Sequence, residues 1–175
     1  AKNAETFGVE LDVKKNLDFI GLRGLSFVCN AAYIYSRVRF EEGAPERDRP
    51  LAGQSPYLVN AGFFYQYDDK GISASLLYNR IGKRIESVGV PMQNQNEDIP
   101  DIYEMPRNSL DLTFSKKIGK IVEIKAGIQD MLNSKVEYKQ FVKLTDDKGG
   151  KSEREQLIRS YRPGVDINIG VSLRF

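Results

Sequence analysis

Two groups of charged side chains have the types and spacing to do chemistry. Glu46, Arg47 and Arg49 fall within four positions, and Glu97, Asp98, Asp101 and Glu104 enclose Tyr103 in a second acidic stretch. Carboxylates so placed offer hard oxygen ligands to a divalent cation or ion-pair partners to a charged small molecule. Asp98 and Asp101 come nearest to a Ca²⁺ pair, but the twelve-residue EF-hand pattern is lacking, so no metal is assigned. Asp146 to Lys151, DDKGGK, shares only composition with a phosphate loop and lacks the Walker spacing. The chain has no His and a single Cys29, which removes the usual ligands of zinc and most transition metals. The same absence excludes Ser-His-Asp and Cys-His nucleophiles and any internal disulfide. The residues therefore predict no catalytic site, no cofactor and no enzyme. Glu46, Arg47, Arg49, Asp98, Asp101 and Tyr103 are expected to bind a ligand through long loops on a rigid scaffold.

The elements that would hold such loops are strands. From Val165 to Phe175 every odd position is apolar, while Asp166, Asn168, Gly170, Ser172 and Arg174 occupy the even ones. Phe7, Val9, Leu11 and Val13 alternate in the same way with Gly8, Glu10, Asp12 and Lys14. Further strands are expected from Leu25 to Phe40, Tyr57 to Tyr67, Ile72 to Ile85, Leu110 to Lys116 and Val122 to Phe141, with no amphipathic helix of useful length between them. The class is all-β: an antiparallel up-and-down meander of about seven strands. Short connections at Asn16 to Gly24, Asp68 to Gly71 and Lys117 to Lys120 alternate with long polar ones at Glu41 to Ser55, Val88 to Asn108 and Lys143 to Ser160. That alternation is expected of a bacterial membrane barrel, with short periplasmic turns and long outward loops.

Composition agrees with strands of two-faced character. The net charge is +2, far from the basic excess of a nucleic-acid binder. Mean hydropathy is −0.44 and no run approaches the roughly 18 apolar residues of a membrane helix; barrel strands, which alternate, escape that criterion. Glu10, Asp12, Asn30, Asn79, Lys125, Asp166, Asn168 and Arg174 fall on the polar face, and Tyr57, Tyr67, Tyr78, Phe114 and Phe175 lie toward strand ends, where amphipathic rings favour lipid headgroups. Alternation alone leaves a second reading open, a soluble β-barrel or sandwich that binds a small ligand or acts as an interaction module. Seven strands is an odd number, whereas single-chain bacterial barrels close with even counts, so two free edges and a larger ring are expected.

Five segments carry a family resemblance: RPLAGQSPYLVNAGFFYQ at Arg49 to Gln66, LLYNRIGKRIESVG at Leu76 to Gly89, IYEMPRNSLDLTFSKKIG at Ile102 to Gly119, IKAGIQDMLN at Ile124 to Asn133, and YRPGVDINIGVSLRF at Tyr161 to Phe175. Together they resemble the end of the large barrel of TonB-dependent outer-membrane receptors of Gram-negative bacteria. The resemblance implies that residues 1–175 form about 7 of 22 strands, with the plug domain and remaining strands outside them. It implies a multi-pass β-barrel in outer-membrane lipid, powered indirectly by the TonB complex, that takes up a scarce nutrient such as an iron chelate, cofactor, peptide or glycan. Glu10, Asp12, Asn79, Lys125, Asp166 and Asn168 would then face the lumen and the plug. Val171, Leu173 and Phe175 would belong to the terminal signal read by the barrel-assembly machinery.

Overall fold

A computed structural model describes residues 1–91, 99–145 and 151–174. Its strands are β1 (Asn3–Asn16), β2 (Leu25–Arg39), β3 (Tyr57–Tyr67), β4 (Ile72–Ile81), β5 (Arg84–Ser87), β6 (Ile102–Glu104), β7 (Arg107–Ile118), β8 (Val122–Gln129), β9 (Val136–Thr145), β10 (Lys151–Tyr161) and β11 (Asp166–Leu173). Every pairing is antiparallel. A seven-stranded sheet runs β1-β2-β3-β4-β7-β8-β11 and a four-stranded one runs β10-β9-β6-β5. The all-β meander thus has more strands than the sequence suggested, and among the described residues the sheets do not close into a barrel.

The four-stranded sheet continues the larger one. Its order, β5-β6-β9-β10, repeats the order of β4, β7, β8 and β11, and each member joins its counterpart across a short interruption. The interruptions fall at 82–83, 105–106, 130–135 and 162–165, a line of breaks across four neighbouring strands. Local chemistry accounts for the last three. Pro106 and Pro163 have no N–H to give a ladder, Gly164 takes φ +96°, and Asp130 and Asn133 take φ +52° and +42°, a left-handed region that ends a strand. Polar groups then lock the line: Asn133 accepts the Gly164 N–H on its Oδ1 at 3.1 Å, and its carbonyl accepts Arg162 Nη1 at 2.8 Å.

Three expectations are corrected by these breaks. The continuous strands from Ile72 to Ile85 and from Val122 to Phe141 are two strands each, and the segment Lys143 to Ser160 is no open loop, since its described residues form the β9–β10 hairpin. Its alternation is masked by charges on both faces, as in Glu153, Arg154 and Glu155, which the period-two pattern does not separate. Likewise Ile102–Glu104, inside the expected Val88 to Asn108 loop, pairs with β5 and β9.

The short connections are built alike. Asp18, Phe19, Ile20 and Gly21 form a 3₁₀ turn, and so do Asp68, Asp69, Lys70 and Gly71; in each the glycine N–H donates to the first aspartate's carbonyl, at 3.0 and 2.9 Å. Both glycines have positive φ, +85° and +58°, which a side chain would resist.

Little of the chain is internal. The accessible surface is 12473 Å², well above the about 8,600 Å² expected of a compact monomer of this mass. Among the described residues the buried apolar side chains are Ala32, Val38, Ile85 and Val136, all toward the end of the sheets formed by β5, β6, β9 and β10, the upper end. They cluster because the β2–β3 connection folds back. Val38 and Arg49 exchange backbone hydrogen bonds, Leu51 N–H donates to Ser36 Oγ at 3.2 Å, and Gly53 N–H reaches the Ile85 carbonyl at 2.8 Å.

Candidate functional site

The register sorts every side chain of the seven-stranded sheet, because directly opposed residues share a face. One face is apolar across the whole sheet. Val9 lies opposite Tyr33, Ala31 opposite Val59, Phe63 opposite Leu76, Leu76 opposite Leu112, Leu112 opposite Ile128, and Ile128 opposite Ile167. It is uncovered: Phe7, Val9 and Leu11 are 59 to 74% exposed, and Ile167, Ile169, Val171 and Leu173 are 56 to 76% exposed. Apolar rows at both edges of a sheet and nothing packed on them are costly in water, at about 25 cal/mol per Å².

The aromatic rings on this face form two bands. Tyr33, Tyr35 and Tyr57 lie toward the upper end, Phe27, Phe63, Tyr65, Tyr67 and Phe114 toward the lower, and Tyr78, opposite Ala61, lies between. Tyr57 and Phe63 are six residues apart on β3, about 20 Å along a strand, and Tyr35 and Phe27 are eight apart on β2, about 26 Å. Between them stand Cys29, Ala31, Val59 and Ala61, while Leu76, Leu112, Ala126 and Ile169 lie level with the lower rings.

The opposite, concave face carries the polar side chains, joined toward its upper end by Ile34, Val38, Leu58 and Ile81, and holds a cavity of about 620 Å³ in its lower half. Hydroxyls and amides line it: Ser73 and Ser115 pair at 2.7 Å, Ser75 and Thr113 at 2.6 Å, with Gln66, Gln129 and Asn168 around them. The proposed lumen residues all lie on this face. Asn30 Nδ2 donates to Asp12 Oδ1 at 2.6 Å, and Asn79 Nδ2 to Asn60 Oδ1 at 2.6 Å. Glu10 faces Ala32, and Asp166 faces Gln129. Lys125 lines the cavity and pairs with Glu123 at 3.5 Å, to which Arg174 also reaches at 3.8 Å. Asn168 sits against Gly127, where an added Cβ would meet its Oδ1 at 2.7 Å; at Gly170 nothing lies within 4 Å. Val171 and Leu173 are opposite Ile124 and Val122 on the apolar face, and Phe175 lies outside the described residues.

Of the expected loop residues, those described belong to two segments, the β2–β3 connection and the stretch that leads into β6. Glu46 and Arg47 are exposed in the β2–β3 connection, while Arg49 is held in the bridge to Val38 with its guanidinium 5.7 Å from the Phe40 ring. Asp101 is engaged by its own neighbourhood, accepting the Gly89 N–H at 2.8 Å and the Tyr103 hydroxyl at 3.5 Å. Glu97 and Asp98 lie outside the described residues, as do 146–150 of the DDKGGK stretch. Among the described residues no group of three potential metal ligands occurs.

The upper sheet assembles a cluster that alternation did not reveal. Lys83 places its ammonium 4.1 Å from the Tyr103 ring centre and 3.6 Å from that of Phe141, and the two rings meet edge to face at 5.7 Å. Burial pushes the Lys83 amine below its ordinary value, opposed by the charges of Glu153 and Glu155. Burial also raises the Tyr103 hydroxyl, helped by the Asp101 charge. Nearby, Lys139 bridges Glu155 at 2.7 Å and Glu137 at 3.4 Å, and its hydrogen bond to Glu155 raises its pKa. Arg84 grips one oxygen of Glu104 with two donors at 2.9 and 2.7 Å, and the Arg159 guanidinium lies 4.1 Å from the Tyr138 ring. These contacts join residues far apart in sequence. The one local signal was the pair of aromatics, Tyr138 and Phe141, beyond an Asp-to-Asn turn. At the break line Arg107 is hydrogen bonded to the buried Asp130, whose N–H donates to Asp111 Oδ1 at 2.8 Å.

No family model, curated protein or solved structure matches this chain.

Proposed function

We propose that this chain is a wall segment of a bacterial outer-membrane β-barrel, of the kind that ends a TonB-dependent receptor. One observation carries the reading: the uncovered face is apolar across all seven strands and carries aromatics toward both ends, while the cavity on the concave face is lined by hydroxyls, amides and charge. A soluble barrel has the opposite arrangement, with apolar side chains on the concave side. A membrane barrel needs an outward apolar band about 25 Å tall between two aromatic girdles and a wet interior. On β2 and β3 the rings stand about 20 to 26 Å apart along the strand, close to that height.

On this reading outer-membrane lipid covers the apolar face, further strands continue from β1 and β11, and a plug domain meets the polar cavity. The receptor assignment beyond the barrel wall rests on the resemblance of the five segments. It brings uptake of a scarce nutrient, indirect drive by the TonB complex and insertion by the barrel-assembly machinery. The chain performs no catalysis in this scheme.

The test is folding into phosphatidylcholine vesicles. Arg at the bilayer midplane costs a lipid-facing strand position roughly 2 to 4 kcal/mol, so Ile169→Arg should lower the folded fraction at least about tenfold, and Asn168→Arg should lower it little. Equal tolerance of both, or a chain that stays a folded monomer without detergent or lipid, would contradict the proposal and favour the soluble module.

A further inference from the structure

We infer that Arg80, oriented by Tyr57, Tyr78 and Asn108, is a seat for the phosphate of an anionic lipid at the upper rim of the apolar face. The inference rests on the wall reading above. Arg80 is opposite Val59 on one side and Asn108 on the other, so it points to the apolar face rather than the polar cavity. Its Nε donates to the Tyr57 hydroxyl at 3.2 Å and its Nη1 to Asn108 Oδ1 at 2.7 Å; the Tyr78 hydroxyl donates to that same Oδ1 at 2.8 Å. All these partners are neutral.

Charge balance separates Arg80 from its neighbours. Two other arginines stand on this face near the upper rim, and each is neutralised: Arg37 by Asp48 at 3.1 Å and Arg39 by Glu5 at 2.9 Å. Among the described residues no carboxylate lies within ion-pair distance of Arg80. It is half-buried among rings, at the level where an aromatic girdle meets headgroups. A guanidinium has five donors in a planar fork that fits a phosphate bidentately, and its hydrogen bonds to Tyr57 and Asn108 engage only part of that fork. Holding the fork in place reduces the side-chain freedom lost on binding. An uncompensated, pre-oriented cation beside hydrocarbon selects an anion that arrives with an acyl chain, which is a lipid phosphate.

The experiment compares the full chain bound to vesicles of phosphatidylcholine alone and with one fifth phosphatidic acid, at fixed ionic strength. Binding to the neutral vesicles tests the wall reading separately, and its failure would not be confused with failure of the site. The expected gain from phosphatidic acid is about fivefold for the site, the worth of one cation near an anionic surface. Arg80→Gln should lose most of that gain while binding neutral vesicles as before, and Arg80→Lys should restore less than half of it. Arg154→Gln, in the exposed β10 strand, should keep the gain. The inference is overturned if Arg80→Gln keeps the gain, if Lys restores it fully, or if Arg154→Gln loses as much. Inorganic phosphate at 20 mM, a concentration of about that order being enough to fill a weak free-anion site, should leave the gain in place. Its abolition would assign the seat to soluble phosphate and overturn the lipid.

Discussion

Asn168 and Gly127 show how single residues shape the polar face. Gly127 gives the Asn168 side chain its room, since a Cβ there would approach Oδ1 to 2.7 Å, whereas Gly170 has open space. Gly127→Val should therefore destabilise by about 1 to 3 kcal/mol, the usual cost of overpacking, and Gly170→Val should be neutral or stabilising on a strand. Urea unfolding in lipid vesicles would separate them, and equal effects would refute the contact. Lys83 offers a pH test. Its folded pKa is lowered, so in the window between that lowered value and its ordinary one the unfolded chain holds more protons, and stability rises with pH there. Tyr103 works in the other direction: its folded pKa is raised, so its contribution is lost as pH climbs from the ordinary tyrosine value through the raised one. Wild type minus Lys83→Met should thus show a stability difference that shifts in favour of wild type from pH 8 to pH 10.5, read by hydrogen exchange in β5 and β6. A flat difference would mean that the amine is not held between the rings.

At the scale of elements, strands with one wet and one apolar face were legible because alternation records both environments at once. Tyr57–Tyr67 has the same bounds in sequence and structure, and β11 differs by a residue or two. The upper sheet was hidden for a physical reason. Its strands carry charge on both faces, as in Glu153, Arg154 and Glu155, so no periodicity survives, and its defining contacts, such as Lys83 with Phe141, are long-range. The break line left weaker signs, in Pro106, Pro163–Gly164 and the Asp130 to Asn133 turn. Asn133 is the key position there, at φ +42° with its side chain on the Gly164 N–H. Asn133→Gly should retain the turn with a loss of about 1 kcal/mol for the missing hydrogen bond. Asn133→Val, β-branched in a left-handed conformation, should cost more, about 2 to 3 kcal/mol in all. Amide exchange across β9 and β10 would register the difference, and a valine variant as protected as wild type would dissociate the turn from the hairpin.

For the molecule as a whole, direction is the organising fact. β1 and β11 run the same way, since six reversals separate seven meander strands, so the two edges cannot meet as an antiparallel pair. The expected ligand loops were the least legible part. The β2–β3 connection turns back onto the Ser36 and Val38 side of β2, the polar face, instead of standing free, and this follows from backbone hydrogen bonds that sequence does not encode locally. The central claim, that odd-numbered side chains of the last strand touch hydrocarbon and even-numbered ones stay wet, has a direct measurement. Single cysteines at positions 167 to 172, in a Cys29→Ser background, carry a fluorophore in vesicles with brominated acyl chains. Strong quenching at 167, 169 and 171 with weak quenching at 168, 170 and 172 is the predicted result. Uniform quenching, none at all, or the reverse alternation would contradict it.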